Sequence, residues 1–447
     1  MQRTRFLPDI LTTLFDRRSA AGKDNDPRDM AQLCHALLSE EGAVSGIKLA
    51  ETILARYRTF CDDEKLKFFE LINDTFELDA ESLSQLAKVY ADTGTMHAYK
   101  DVFAASTGER RKLLRRLNQP AGATADLVSM RVDLLRLMKS HPDLGRTDMD
   151  FAVLLRSWFN HGFLVLKQID WSAPASLLDK IVAYEAVHEI DDLDDLRRRL
   201  SPPDRRCFAF FHPAMPDEPL IFVEVALADH VPGSVDDVLS ENRDPLLLQH
   251  ATTAVFYSIS NCQLGLKGIS FGNLLIKQVA KQLSTELPHL THFVTLSPMP
   301  QLNMWLKSQL QSAEIAHVAA AVLDGSALPE DVRAIAARYL LDAKRDAGDP
   351  FDPVARFHLG NGAEVFDVHA NADSSDSGRD QSSGTMVNYL YDLTQVESNH
   401  ENFALHGKIA SSRAILKLAK AAIKTKEDVL ASSFGLIRSA DRIHGNT

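Results

Sequence analysis

Apolar residues recur at three- and four-residue spacings from about residue 29 to residue 141, in AQLCHALL, LAETILARY, KLKFFELI, LSQLAKVY and LVSMRVDLLRLM, with polar breaks such as 61–64 and 119–124 between them. That period puts one apolar stripe on each segment and predicts an antiparallel bundle of short helices. After Pro142 the texture changes. HGFLVLKQIDW (161–171) reads as a strand, SLLDKIVAYEAV and DDLDDLRRRL read as helices, and RCFAFFH (206–212) and LIFVEVAL (220–227) read as a hairpin around 213–219. There follow a strand over 254–260, a helix over about 273–287 and a strand over 292–296. Helices run from 301 to about 347, strands return in GAEVFDVHANA and TMVNYLYDL, and a helical tail covers 405–431. The pattern predicts an α+β protein. An all-α helical bundle occupies residues 1–150, and a mixed α/β domain with a helical insertion and a C-terminal helix occupies 151–447.

Composition narrows the function without naming it. The 447 residues are 45% hydrophobic and 25% charged, enough for two or three cores. The net charge of -12 argues against a general nucleic-acid surface and against docking on an anionic membrane, since either needs a basic face. Cys34, Cys61, Cys207 and Cys262 form no CxxC and have no His at metal-ligand spacing, so neither a disulfide framework nor a zinc site is expected. No apolar run is long enough for a membrane helix, and the opening MQRTRFLPDILTTLFDRRSAAG has too short and interrupted an apolar core for a secretory signal. A cytoplasmic protein is the expectation.

Chemistry concentrates between 254 and 306. Gly265, Gly268 and Gly272 crowd the junction between a strand and a helix, where backbone amides could approach a phosphate and the helix amino end adds a favourable dipole. Lys267, Lys277 and Lys281 could supply local positive charge against the acidic background. Residues 268–272 spell GISFG, which matches the GxSxG elbow of serine hydrolases. An elbow needs its Ser directly between strand and helix, whereas about ten residues separate the expected strand end from Ser270, so a ligand-binding loop is the better reading. Ser297, in LSPMP, sits at the end of the apolar strand HFVTL, and His358 precedes an Asn361–Gly362 turn. Alone, these two read as a turn serine and a structural histidine.

The order of strands and helices is similar to the acetyltransferase (GNAT) fold, which holds coenzyme A on the loop after its fourth strand; here Gln263 leads into the glycines at that point. Over a longer span, FYSISNCQLGLKGISFGNLLIK, ELPHL, LSPMP, PVARFHLGNGA and MVNYLY, with WFNHGFLVL and DWSAP upstream, resemble malonyl-CoA decarboxylases. The resemblance covers about 157–393 and implies a helical oligomerisation domain ahead of a GNAT-like catalytic domain. It implies decarboxylation of malonyl-CoA to acetyl-CoA and CO2, with no metal and no cofactor beyond the coenzyme A of the substrate. It assigns Ser297, His358 and Tyr391 to catalysis, and Lys267, Gly268, Ile269, Ser270, Phe271, Gly272 and Asn273 to the substrate. At Ser270 the chain departs from animal members, which carry a glutamate in GVELG. For that reaction the chemistry leads us to expect Ser297 on the malonyl carboxylate or in a proton relay, His358 as the acid that protonates the α-carbon near its unperturbed pKa of about 6.5, and Tyr391 or loop amides on the thioester carbonyl. The family also implies a homodimer or homotetramer. An acyl-CoA N-acyltransferase and a non-enzymatic coenzyme A scaffold remain open as alternatives from the residues themselves.

Overall fold

The computed structural model describes residues 26–39, 43–269 and 275–421 of the chain. These fall into two compact units.

The first unit is helical, with helices Met30–Ser39, Ala43–Thr59, Asp62–Thr75, Ala80–Thr93, Met96–Thr107, Glu109–Leu117, Ala123–Leu137 and Gly145–Trp158. The period seen in the sequence supplies its core, which buries Leu37, Ile53, Phe69, Ile72, Leu114, Leu127, Leu134 and Leu155. Short polar breaks act as caps: Asp79 accepts the Ser82 N–H, and Thr95 accepts the Ala98 N–H. The helix Gly145–Trp158 runs through the expected boundary at residue 150, burying Phe151, Leu154 and Leu155. Its Asp150 pairs with Arg110 and Arg111, both at 2.8 Å. The unit continues to Val165 and takes in Phe210–Leu220 and the described part of 261–271.

The second unit holds most of one sheet, of which Val165, Phe210–His212, Met215–Leu220 and Asn261 fall in the first. The strands of the sheet are β1 (Val165–Ile169), β2 (Arg205–His212), β3 (Met215–Ala228), β4 (Thr253–Asn261), β5 (His292–Thr295), β6 (Ser297–Pro298), β7 (Glu364–His369) and β8 (Met386–Leu390). Their order is β1-β2-β3-β4-β5-β8-β6, with β7 paired to β8 off that path. Strands β4 and β5 are parallel, in the register Phe256↔Thr295, and the helix Leu275–Glu286 is the crossover that parallel pairing requires. That helix buries Leu275, Ile276, Val279, Ala280 and Leu283. Strand β8 then runs antiparallel to β5, β6 and β7. The α+β class and the order of elements agree with the sequence pattern.

Three local differences have physical causes. The hairpin turn is only residues 213–214, and β3 starts at Met215, so Pro216 and Pro219 lie inside a strand. Residues Pro353–Gly360 form a helix where the pattern showed only an approach to a turn; Asp352 caps it by accepting the Val354 and Ala355 N–H groups, and Pro353 opens it at N1. The acidic segment 371–384 contains the helix Asp376–Ser382, and the Asn303 amide donates to the Arg379 and Asp380 carbonyls at its end. Among the described residues no helix is long and apolar enough to cross a membrane. The expected tail is represented by Val396–His406 and Arg413–Ala421, and the rest of it lies outside the described residues.

Candidate active site

The second unit brings Ser297, His358 and Tyr391 together, although 61 residues separate the first two and 33 the last two. Ser297 follows the run HFVTL, in which Val294 and Leu296 point into the core and Thr295 and Ser297 share the opposite face, as the two-residue period of a strand requires. Pairing of Ser297 with Val387 then fixes it to β8. His358 comes from the capped helix Pro353–Gly360, whose cap Asp352 is itself held by the Tyr339 hydroxyl at 3.0 Å. Gly362 ends this segment with φ of 84°, and an added Cβ would lie 1.9 Å from the Val396 carbonyl oxygen, so the chain can turn toward β7 here only with glycine.

The geometry is a chain of hydrogen bonds. Ser297 Oγ lies 3.1 Å from His358 Nε2, and Tyr391 Oη lies 2.9 Å from His358 Nδ1. Ser297 also donates to Thr295 Oγ1 at 2.8 Å, and Thr295 Oγ1 accepts the Tyr389 N–H at 3.2 Å. The Tyr389 ring stacks on the imidazole, with centroids 4.5 Å apart and planes at 24°. Ser297 is 6% exposed, His358 2% and Tyr391 1%, so all three are buried, Ser297 the least.

Burial sets the protonation states. Loss of water lowers the His358 pKa from 6.5 to about 3, so the ring is neutral throughout the neutral range. This corrects the expectation of a histidine titrating near 6.5. Burial pushes the Tyr391 phenol well above its usual value, against a smaller lowering by the Asn361 side chain, so it stays protonated. Tyr391 occupies the imidazole nitrogen opposite Ser297, so the ring lies between the two hydroxyls. The partner that orients His358 is thus a tyrosine on β8's extension.

The glycine-rich loop belongs to the first unit and is described to Ile269. Its residues Leu264–Leu266 form a 3-10 turn docked on the helix Ala123–Leu137. An added Cβ on Gly265 would lie 2.0 Å from the Val128 carbonyl oxygen, and Arg131 donates to the carbonyls of Gly265 (2.8 Å) and Lys267 (3.0 Å) while pairing with Asp148 at 2.7 Å. Gly265 is therefore demanded by packing. The amides of Leu266, Lys267 and Ile269 donate to carbonyls within the loop. Lys267 and Gly268 are exposed, Gly268 with φ of 78°, and Ile269 is buried. Ser270, Phe271, Gly272 and Asn273 lie outside the described residues.

Sequence reasoning missed Thr295 and Tyr389, which touch Ser297 and His358. Their signal was the two-residue period: each lies two positions before a residue already singled out, Ser297 and Tyr391. The second unit also buries Glu224 completely, 3.4 Å from Arg199. Burial and the nearby Glu185 raise its pKa to about 8, against the pull of Arg199.

Residues 162–429 match the malonyl-CoA decarboxylase C-terminal domain and residues 76–159 the N-terminal domain of the same family. The chain is 33% identical over 350 residues to the mitochondrial malonyl-CoA decarboxylase of Anser anser anser, covering 69% of each chain. It is 32% identical over 348 residues to that of Rattus norvegicus, covering 69% of this chain and 70% of the other. Crystal structures of malonyl-CoA decarboxylases are also similar. That from Agrobacterium vitis has 45% identity and a TM-score of 0.82, over 88% of this chain and 99% of the other. That from Rhodopseudomonas palustris has 45% identity and a TM-score of 0.81, over 87% and 98%.

Proposed function

This chain belongs to the malonyl-CoA decarboxylase family, and from that premise we propose that it converts malonyl-CoA to acetyl-CoA and CO2 at the Ser297–His358–Tyr391 chain. The observation that carries the reading is the neutral His358 held between two hydroxyls, with Ser297 at the least buried end. Loss of CO2 leaves a thioester enolate that must gain a proton at its α-carbon. Ser297 gives its hydroxyl proton to that carbon and takes the Nε2 proton of His358, while the Tyr391 hydroxyl proton moves to Nδ1. After acetyl-CoA leaves, a solvent proton enters at Ser297, a proton returns to Nε2 and the Nδ1 proton returns to Tyr391, so each turnover draws one proton from water, as the loss of a carboxylate as CO2 requires, and restores the starting tautomer. The imidazole need never be cationic. Negative charge is delocalised onto the thioester, and coenzyme A arrives with the substrate, so the reading calls for no separate cofactor.

The exposed Lys267 and Gly268, with Ser270 to Asn273 beyond them, are the proposed contacts for coenzyme A. The net charge of -12 favours a small substrate over nucleic acid or an anionic membrane, and the cytoplasm suits the four free cysteines. Incubation with malonyl-CoA and no amine acceptor tests the reaction: acetyl-CoA and CO2 are the expected products. Binding without product would instead favour a coenzyme A scaffold, and acetyl transfer that requires an amine would favour an N-acyltransferase. Ser297→Ala and His358→Ala should each lower kcat by about 100-fold or more while leaving coenzyme A binding intact.

A homodimer or homotetramer through the helical unit is also proposed. The helix Ala80–Thr93 buries none of its residues, and Val89, Tyr90, Met96, Tyr99 and Phe103 are exposed on it and on the next helix. Tyr99→Ser combined with Phe103→Ser should shift the sedimentation coefficient toward the monomer; an unchanged value would remove this hairpin from the interface.

A further inference from the structure

We infer that Thr295 is a positioning residue that commits His358 to the tautomer carrying its proton on Nε2. The inference rests on the decarboxylase reading of the Ser297–His358–Tyr391 chain and concerns the direction in which that chain can move a proton.

A hydroxyl has one proton to give, and Ser297 gives it to Thr295 Oγ1 at 2.8 Å. The 3.1 Å contact between Ser297 Oγ and His358 Nε2 can then be a hydrogen bond only if Nε2 is the donor. The ring is neutral because burial lowers its pKa, so a proton on Nε2 leaves Nδ1 as an acceptor, and the Tyr391 hydroxyl at 2.9 Å supplies that nitrogen. Every group in the chain then donates in one direction, from Tyr391 to His358 to Ser297 to Thr295. With the opposite tautomer, Nε2 would accept the Ser297 proton and the imidazole would act as a base toward the hydroxyl, the arrangement of a nucleophilic serine. The tautomer therefore decides whether Ser297 is refilled with a proton or stripped of one. Only the first serves an enolate that must be protonated.

Thr295 is held so that it can impose this choice. Its side chain is fully buried, and its Oγ1 also accepts the Tyr389 N–H at 3.2 Å. Its backbone carbonyl accepts the Asn388 amide at 2.9 Å, and Asn388 in turn meets His369 Nε2 at 2.5 Å through Oδ1. Parallel pairing with Phe256 and the shared strand face with Ser297 fix the distance between the two hydroxyls.

The test uses the full chain with 15N-labelled histidine, its His358 signals assigned by their loss in His358→Gln. Wild type should show Nε2 protonated and Nδ1 as an acceptor. Thr295→Val, which keeps the branched shape without the oxygen, should move the proton toward Nδ1 and lower kcat about tenfold or more, with KM for malonyl-CoA within about twofold. Thr295→Ser should restore both the spectrum and kcat. If Thr295→Val does not fold, Thr295→Cys keeps one γ atom, a poor acceptor, and carries the same expectation. Wild-type ring signals and wild-type kcat in the folded Val or Cys variant would overturn the inference, as would a wild-type ring already protonated at Nδ1. Failure of the decarboxylase reading is separate: it would appear as no acetyl-CoA from wild type, while the ring signals would still report the tautomer.

Discussion

Replacing His358 by Gln probes the neutral imidazole directly. The folded pKa is about 3 and the ordinary value 6.5, so below 6.5 the unfolded chain binds a proton that the folded chain refuses. A histidine lowered in this way contributes no loss above 6.5 and loses stability steadily as pH falls from 6.5 toward 3. The slope over that window is about 1.4 kcal/mol per pH unit, so moving from pH 7 to pH 5 should cost wild type about 2 kcal/mol at this group alone. His358→Gln lacks the term. Its stability at pH 7 will be lower, because Tyr391 and Ser297 lose a partner in a buried site, but its further decline to pH 5 should be about 2 kcal/mol smaller than that of wild type. Urea unfolding at both pH values, read as the difference of differences, removes every titration that the two proteins share. Equal declines would refute the buried neutral ring. So would an acid limb in wild-type kcat/KM with an apparent pKa near 6.5, since that profile reports the free enzyme and a ring held near 3 does not titrate there.

Tyr391→Phe removes the hydroxyl that refills Nδ1, and kcat should fall about 10- to 100-fold with KM little changed; steady-state kinetics showing normal turnover would leave the tyrosine a packing residue. Gly265→Ala drives a Cβ to 2.0 Å from the Val128 carbonyl and forces the loop off its helix, so stability should drop by about 1–3 kcal/mol in thermal melts. If the loop also presents coenzyme A contacts, KM for malonyl-CoA rises in the same variant while kcat holds; an unchanged KM would detach the loop from the substrate. Glu224 has its pKa raised to about 8, so its contribution is full below about 4.5 and is lost as pH rises through 8. Wild type should therefore lose about 2 kcal/mol more than Glu224→Gln between pH 6 and pH 8 in urea titrations, and parallel curves would show the carboxyl to be ionised in the fold.

What the chain disclosed in advance follows a physical division. Periodicity is a local property, and it located the bundle, the βαβ unit and the strand ends that carry Ser297 and Tyr391. The helix Pro353–Gly360 was also written locally, as an Asp352 cap followed by Pro353 at N1, but it spans only eight residues and runs directly into the Asn361–Gly362 turn. Gly265 was legible as a glycine the chain needs, yet not as one needed by the approach of Val128, because that approach joins positions more than a hundred residues apart. The spelling GISFG falls across the edge of the described residues, so its loop reading rests on the sequence spacing.

The protonation of His358 could not have been legible in the same way. A pKa is set by the water a group loses and the charges it gains, and no spacing along PVARFHLG records that Tyr389 will cover the ring or that two hydroxyls will take its nitrogens. The correction changes the chemistry and not only a number. A ring titrating near neutrality could have delivered a proton as a cation and been recharged by solvent alone. A neutral, enclosed ring can deliver one only as another arrives on its far nitrogen, which makes Tyr391 part of the same transfer. In the proposed reaction it also makes the direction of the chain, and with it the Ser297–Thr295 hydrogen bond, a condition for protonating carbon. The two hydroxyls flanking the ring should accordingly be non-additive: with kcat expressed as a free energy, the double variant Ser297→Ala/Tyr391→Phe should cost less than the sum of the single losses, because either one already breaks the relay. Strict additivity would show that the two residues act at separate steps, and the relay would have to be abandoned.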